Sequence, residues 1–179
     1  MDAKSGEDAK RSGKKWFPYN KGGEFRKWYG NDDYLVNWEN DGAQIRNFKN
    51  EAGQLRSRPQ NMQFYFRPAI SWSLISSGTV AFRYKPSGHI LDVAGMSLFA
   101  EENLFYILGL CNSPVVLEAL AVLAPTINFQ AGDIANLPVL VDNKQLATVE
   151  KIVCENIEIS RADYDAFETS RDFKKHPLL

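Results

Sequence analysis

Apolar and polar positions along the 179-residue chain follow two periods, strand-like in the first half and helical in the second. Trp16–Asn20 runs into Lys21-Gly22-Gly23, the pattern of an aromatic strand closed by a glycine turn. After the turn Asn31-Asp32-Asp33, the β-branched and aromatic stretch Tyr34–Trp38 predicts a second strand. Asp41-Gly42 opens a helix to about Glu51, with Ile45 and Phe48 on one face, and Gly53–Asn61 reads as a loop. Ala69–Ile75 alternates apolar and polar residues, the period of a half-buried strand. Thr79–Tyr84 returns after Ser76-Ser77-Gly78, and His89–Val93 and Gly95–Phe99 add two more strand-like pieces. From Glu101 the period becomes helical, with Leu104, Ile107, Leu108 and Cys111 on one stripe. Asn112-Ser113 ends that helix and Pro114 starts the next at its first position, running to about Leu123.

Thr126–Phe129 reads as a short strand. Gly132-Asp133 turns the chain and offers a carboxylate to cap a one-turn helix, which Leu137-Pro138 stops. Leu146–Phe167 is a last long helix, with Val149, Ile152, Val153, Ile157 and Tyr164 along one side. The pattern predicts an α+β fold, a mixed or antiparallel sheet with helices on one side, plus a long C-terminal helix. It divides into a flexible lead (1–15), a domain (16–141), and a C-terminal helix with its tail (142–179). The lead is rich in Lys, Glu, Ser and Gly and lacks apolar periodicity.

Composition supports a packed chain, with 44% hydrophobic and 12% aromatic residues. Cys111 and Cys154 both fall in helical apolar patterns and are expected to be reduced and buried, which points to a cytoplasmic protein. No membrane partner is expected, because the longest apolar run, Leu104–Leu123, is interrupted by Asn112-Ser113-Pro114 and Glu118. The two histidines and two cysteines are too scattered for a metal site. Net charge is −1, but its distribution is uneven. Residues 1–85 carry 15 Lys and Arg against 9 Asp and Glu; residues 86–179 carry 6 against 13. Pro86–Asn143 contains no Lys or Arg at all. Such a chain can present one basic face while its overall charge stays near zero.

The string Pro125-Thr126-Ile127-Asn128-Phe129-Gln130, followed by Gly132-Asp133-Ile134 and Leu137-Pro138, resembles the closing element of DNA target-recognition domains. In this form it is similar to one narrower family, the PglX-type adenine-specific DNA methyltransferases of BREX phage-defence systems. Further blocks resemble that family in the same order: Pro18–Asn31, Val36–Gly42, Arg67–Ser73, Arg83-Tyr84, Asp92–Gly95, Asp163–Ser170 and Lys174–Leu179. The resemblance spans Trp16 to Leu179 and implies that 16–141 is a DNA target-recognition domain. It also implies S-adenosylmethionine as the cofactor of the parent protein, and that protein's catalytic domain as a partner. The family's glycine-rich cofactor loop and its Asn-Pro-Pro-Tyr-like tetrad have no counterpart here. Asn112-Ser113-Pro114-Val115 is the nearest string and lacks both the second proline and the aromatic. No catalytic, cofactor or metal residue is therefore expected in this chain.

Duplex DNA is the expected partner. Phosphate contacts need Lys or Arg, and base edges are read by Arg, Asn and Gln. The loop Leu55–Gln63 holds both kinds, in Arg56, Arg58, Gln60, Asn61 and Gln63. Lys21, Arg26 and Lys27 lie near Trp28 and Tyr29, where they could grip the backbone, and Arg67, Arg83 and Lys85 flank the strands. Trp28, Trp38 and Trp72 are expected in the core. His89 reads as a turn or strand-start residue. A different function class is docking of protein partners, either other parts of the parent chain or other defence-system proteins. An exposed apolar stripe on the last helix would mark it.

Overall fold

The computed structural model describes residues 3–176 and 178. The fold is the α+β one that the pattern predicts, with a long C-terminal helix, and two small three-stranded sheets form its centre where the pattern suggests one. In the first, β1 (Trp16–Asn20) lies between β2 (Leu35–Asn37), antiparallel to it, and β5 (Ile90–Leu91), parallel to it. In the second, β3 (Ala69–Ser73) lies between β4 (Arg83–Lys85) and β6 (Gly95–Leu98), antiparallel to both.

The apolar–polar alternation of Ala69–Ser73 predicts a half-buried strand, yet all five residues of β3 are buried. Its polar face meets Asn20 at the end of β1, and Gly23 beyond it. Asn20, fully buried, donates from Nδ2 to Ser71 Oγ at 2.8 Å and to the Gly95 carbonyl at 3.0 Å. A polar residue inside a core is tolerated when its hydrogen bonds are made, and this set ties the two sheets together. The approach is close enough that a Cβ on Gly95 would lie 2.2 Å from the Asn20 carbonyl oxygen.

One hydrophobic core gathers Ile70, Trp72, Phe82, Leu108, Val116 and Phe129. It is covered by α3 (Leu104–Cys111), α4 (Pro114–Leu123), α5 (Ala131–Ala135) and α6 (Leu146–Tyr164). Ser113 caps α4 as the sequence pattern requires, its Oγ accepting from the Val116 N–H. Asp133 Oδ2 accepts from the Gln130 N–H at 2.9 Å at the start of α5. Thr126–Phe129 is not a strand. Only an isolated bridge joins Asn128 to Ile75, while Phe129 is buried and its carbonyl accepts from the Trp72 indole at 2.9 Å. The closing segment is thus a packing element, with Ile134 and Leu137 buried beside Phe129. No single helix is long and apolar enough to cross a membrane; α3 and α4 pass by composition only as a pair bent by 67°.

A second, smaller core holds Phe17, Trp38, Tyr65, Phe66 and Ile90. The segment expected as a flexible lead contributes to it. Helix α1 (Gly6–Arg11) is capped by Ser5, and Ala3 and Ala9 are buried there. Helix α2 (Glu39–Arg46) ends five residues earlier than its apolar spacing predicts. Asn40, Asp41 and Gly42 have positive φ, and Gly42 packs against the Trp38 ring, where a Cβ would lie 2.8 Å from it. The helix stops before Phe48, which is 60% exposed, so of the expected face Ile45 alone packs against the smaller core. The return strand expected over Thr79–Tyr84 is confined to β4, because Val80, Ala81 and Phe82 turn into the main core.

Candidate nucleic-acid interface

The loop between α2 and β3 is fixed at both ends. On one side a short hairpin pairs Lys49 with Leu55, and the Arg56 N–H donates to the Phe48 carbonyl at 2.8 Å. On the other, a 3₁₀ turn over Met62–Phe64 leads to Phe66, whose N–H donates to the His89 carbonyl at 2.9 Å. Between these anchors Ser57–Asn61 runs along the edge of a cleft of about 640 Å³. Asn61 takes a left-handed conformation, φ 55°, which asparagine tolerates better than most residues.

Arg58, Gln60 and Asn61 line the cleft; Arg56 and Gln63 are exposed beside it in the chain. Among the described residues neither Arg56 nor Arg58 has an ion-pair partner. Arg67 is held differently. Its guanidinium lies 5.7 Å from the ring centroids of both Phe64 and Phe99, which stack on each other at 4.8 Å. Both rings line the cleft, and Arg67 also pairs with the exposed Glu101 at 2.9 Å. Cation–π contacts fix the plane of an arginine while leaving its N–H edges available.

The remaining predicted residues do not converge on this loop. Lys21 is exposed, with its Nζ 5.3 Å from the Tyr34 ring centroid. Arg26 packs over the Tyr164 ring at 5.0 Å, and Lys27 Nζ reaches the Asn112 carbonyl at 3.4 Å, so both are half-buried against the helical layer. Arg83 and Lys85 are corrections: each is only 1% exposed and cannot meet a large polymer. Arg83 donates to Ser73 Oγ at 2.9 Å. Lys85 Nζ is caged by the carbonyls of Gly30 and Asn31 and by Asp32 Oδ1 at 2.5 Å.

That cage is an internal electrostatic cluster. Asp32 Oδ1 also meets His89 Nε2 at 2.9 Å, and His89 Nδ1 faces the Pro86 carbonyl at 2.9 Å. Burial alone would raise the Asp32 carboxyl, but the Lys85 charge and the His89 contact outweigh it and hold it well below the usual carboxylate range. Burial draws Lys85 down to about 8 despite Asp32. His89 is thus a buried partner of Asp32 as well as a strand-start residue. The sequence held no signal for this, because Asp32 and His89 are 57 residues apart and meet only through the sheets.

Cleft residues that the sequence does not mark as site residues include Tyr19, Asp92 and Ser97. Asp92 is oriented by two donors: the Tyr19 hydroxyl on Oδ2 and the Ala94 N–H on Oδ1, the latter at 2.8 Å. Trp38 and Tyr65, both in the smaller core, also line the cleft, set edge to face at 5.2 Å. Of the glycine pair after β1, Gly22 is packed against protein and is no part of an open cradle for the S-adenosylmethionine that the resemblance implies for the parent protein. A Cβ at Gly22 would lie 2.5 Å from the Ala94 carbonyl oxygen, whereas Gly23 is exposed, with Asn31 Nδ2 2.9 Å from where its Cβ would be.

Two relatives share this chain's sequence over nearly its whole length. It is 42% identical over 169 residues to the adenine-specific methyltransferase PglX of Lacticaseibacillus casei (strain Zhang), covering 93% of this chain and 14% of that protein. It is 38% identical over 169 residues to the adenine-specific methyltransferase BrxX of Escherichia coli O9:H4 (strain HS), covering 92% of this chain and 13% of that protein. The chain therefore spans about one-seventh of the length of these curated relatives. No protein-family model matches it.

Proposed function

Since this chain is a homologue of one segment of the PglX-type adenine-specific methyltransferases, we propose that it is a DNA target-recognition element of such an enzyme. In this reading it acts within a BREX-type phage-defence system, in the cytoplasm, and methyl transfer belongs to other parts of the parent protein. The observation that carries the reading is the anchored Ser57–Asn61 edge of the cleft. It presents Arg58, Gln60 and Asn61 together, with Arg56 and Gln63 exposed in the same loop. Arg56 and Arg58 supply phosphate contacts; Gln60, Asn61 and Gln63 have the paired donor and acceptor that read adenine edges. Lys21 adds an exposed cation away from the loop, and Arg67, which gives one N–H to Glu101, keeps its others beside the loop.

The test is fluorescence anisotropy of the chain with duplex oligonucleotides at several salt concentrations. Binding should weaken linearly in log–log form. Arg56→Ala with Arg58→Ala should reduce the slope by about 1 for each phosphate that is no longer neutralised. A flat titration at low salt would overturn the proposal.

A second reading, docking against other parts of the parent chain or another defence-system protein, has its own observation. Helix α6 buries Val153, Ile157 and Tyr164 on its own domain, but Ile152 and Ile159 stay 52% and 69% exposed, one heptad apart. Replacing both with Glu should leave DNA binding unchanged and weaken association with the rest of the parent protein. Unchanged association would remove this reading.

A further inference from the structure

The cleft has an interior whose chemistry differs from its rim. Arg58 stands on the loop at its edge, while Asp92 is half-buried among the lining residues. A carboxylate there disfavours a phosphate and favours an N–H donor. Each Asp92 oxygen accepts one internal hydrogen bond, from Tyr19 or Ala94, and retains a lone pair for another. Tyr19, Phe64 and Phe99 are half-buried aromatic walls. The Trp38 indole N–H is buried without a partner among the described residues, although Trp38 lines the same cleft. Asp32 Oδ2 and Arg83 Nε, in the internal cluster, are unpartnered too, so the indole N–H serves as a reporter in the cleft wall and not as a contact for a guest. A volume of about 640 Å³ falls within the range of small-ligand sites, about 300–1,000 Å³.

Planar aromatic walls, a fixed acceptor, and amide groups at the mouth describe one class of guest. We propose that the cleft receives a single unstacked nucleobase carrying an exocyclic amino group, with Asp92 accepting its N–H and the aromatic walls holding its ring. Gln60 and Asn61 stand where the strand enters, and Arg58 is placed for the flanking phosphate. The inference rests on the DNA reading above and extends it: this segment holds an extrahelical base of its own, apart from the base that is methylated. Taking a base out of the stack costs a few kcal/mol, least where the base is unpaired, so bulged DNA is the sensitive probe.

The experiment compares the whole chain on three duplexes of one sequence: fully paired, with a single dA bulge, and with a single dT bulge. In parallel, adenosine monophosphate and thymidine monophosphate are titrated while the Trp38 indole N–H resonance is followed. The dA bulge should bind about tenfold tighter than the paired duplex, as expected for one base–aromatic stack. The dT bulge should gain less, and only adenosine monophosphate should shift the Trp38 signal. Asp92→Ala should abolish the dA preference while leaving salt-dependent binding to paired DNA. Paired-duplex binding with no bulge preference would overturn this inference and leave the DNA reading intact. A Trp38 shift with adenosine monophosphate but no duplex binding would keep the cleft and overturn the DNA reading. Equal gains for dA and dT would overturn the role of Asp92, and no binding of any probe would overturn both.

Discussion

Replacing Asp32 with Asn tests the central electrostatic claim of this fold. Asp32 Oδ1 receives Lys85 Nζ at 2.5 Å and His89 at 2.9 Å, with all three side chains 1–2% exposed. Asparagine keeps the size but removes the charge, leaving Lys85 with two backbone carbonyls and no anion. Breaking a buried pair by removing one partner costs about 3–5 kcal/mol, because the other charge stays desolvated. For a domain of this size that corresponds to a fall in Tm of about 6–20 °C. Urea unfolding followed by circular dichroism measures the loss directly, with the m-value checking that the transition stays two-state. The double variant Asp32→Asn with Lys85→Met removes both charges and should recover at least half of the loss. An Asp32→Asn cost below about 1 kcal/mol would refute the reasoning, since a loss that small is typical of an exposed ion pair.

The same cluster sets a pH dependence. The folded Asp32 carboxyl lies below the ordinary carboxylate value, so its stabilisation is complete above the unfolded value of about 3.9 and is lost as pH falls toward the folded one. Unfolding titrations between neutral and acid pH should show this fall in the natural chain and a flatter profile in Asp32→Asn. Gly95→Ala would place a methyl 2.2 Å from the Asn20 carbonyl and force the two sheets apart. Its cost should reach the upper end of overpacking effects, about 3 kcal/mol, measured by the same urea midpoints. The two cysteines should separate kinetically under a thiol reagent. Cys154 is exposed, whereas burial pushes the Cys111 thiol up to about 12, so one thiol should react promptly and the second only on unfolding. Rapid reaction of both would mean that α3 is not packed as described.

Much of the helical half was legible from local pattern. Leu108 and Cys111 keep the buried stripe that their spacing predicts, Pro114 opens α4, and Pro138 follows the short α5. These features are encoded within a few residues, where periodicity and caps act. Strand boundaries were less legible. Ser71 and Ser73 alternate with apolar residues like a surface strand, but both are buried, and Asn20, Gly23 and Arg83 satisfy their hydroxyls. Whether a polar position faces water or a buried partner depends on residues far away in sequence.

The candidate site divides in the same way. Sequence alone determined that cations and amides gather in Leu55–Gln63, that Pro86–Asn143 carries no cation, and which family's segment the chain resembles. Tertiary structure decided which cations reach solvent. Arg83 and Lys85 sit on a strand like any surface pair, but β4 turns both inward, where Asp32 and backbone carbonyls hold Lys85. It also brought Tyr19, Asp92 and Trp38 to one cleft, across 73 residues in the case of Tyr19 and Asp92. Residue type is written in the chain, but exposure and convergence are set by long-range sheet pairing, which has no local signature.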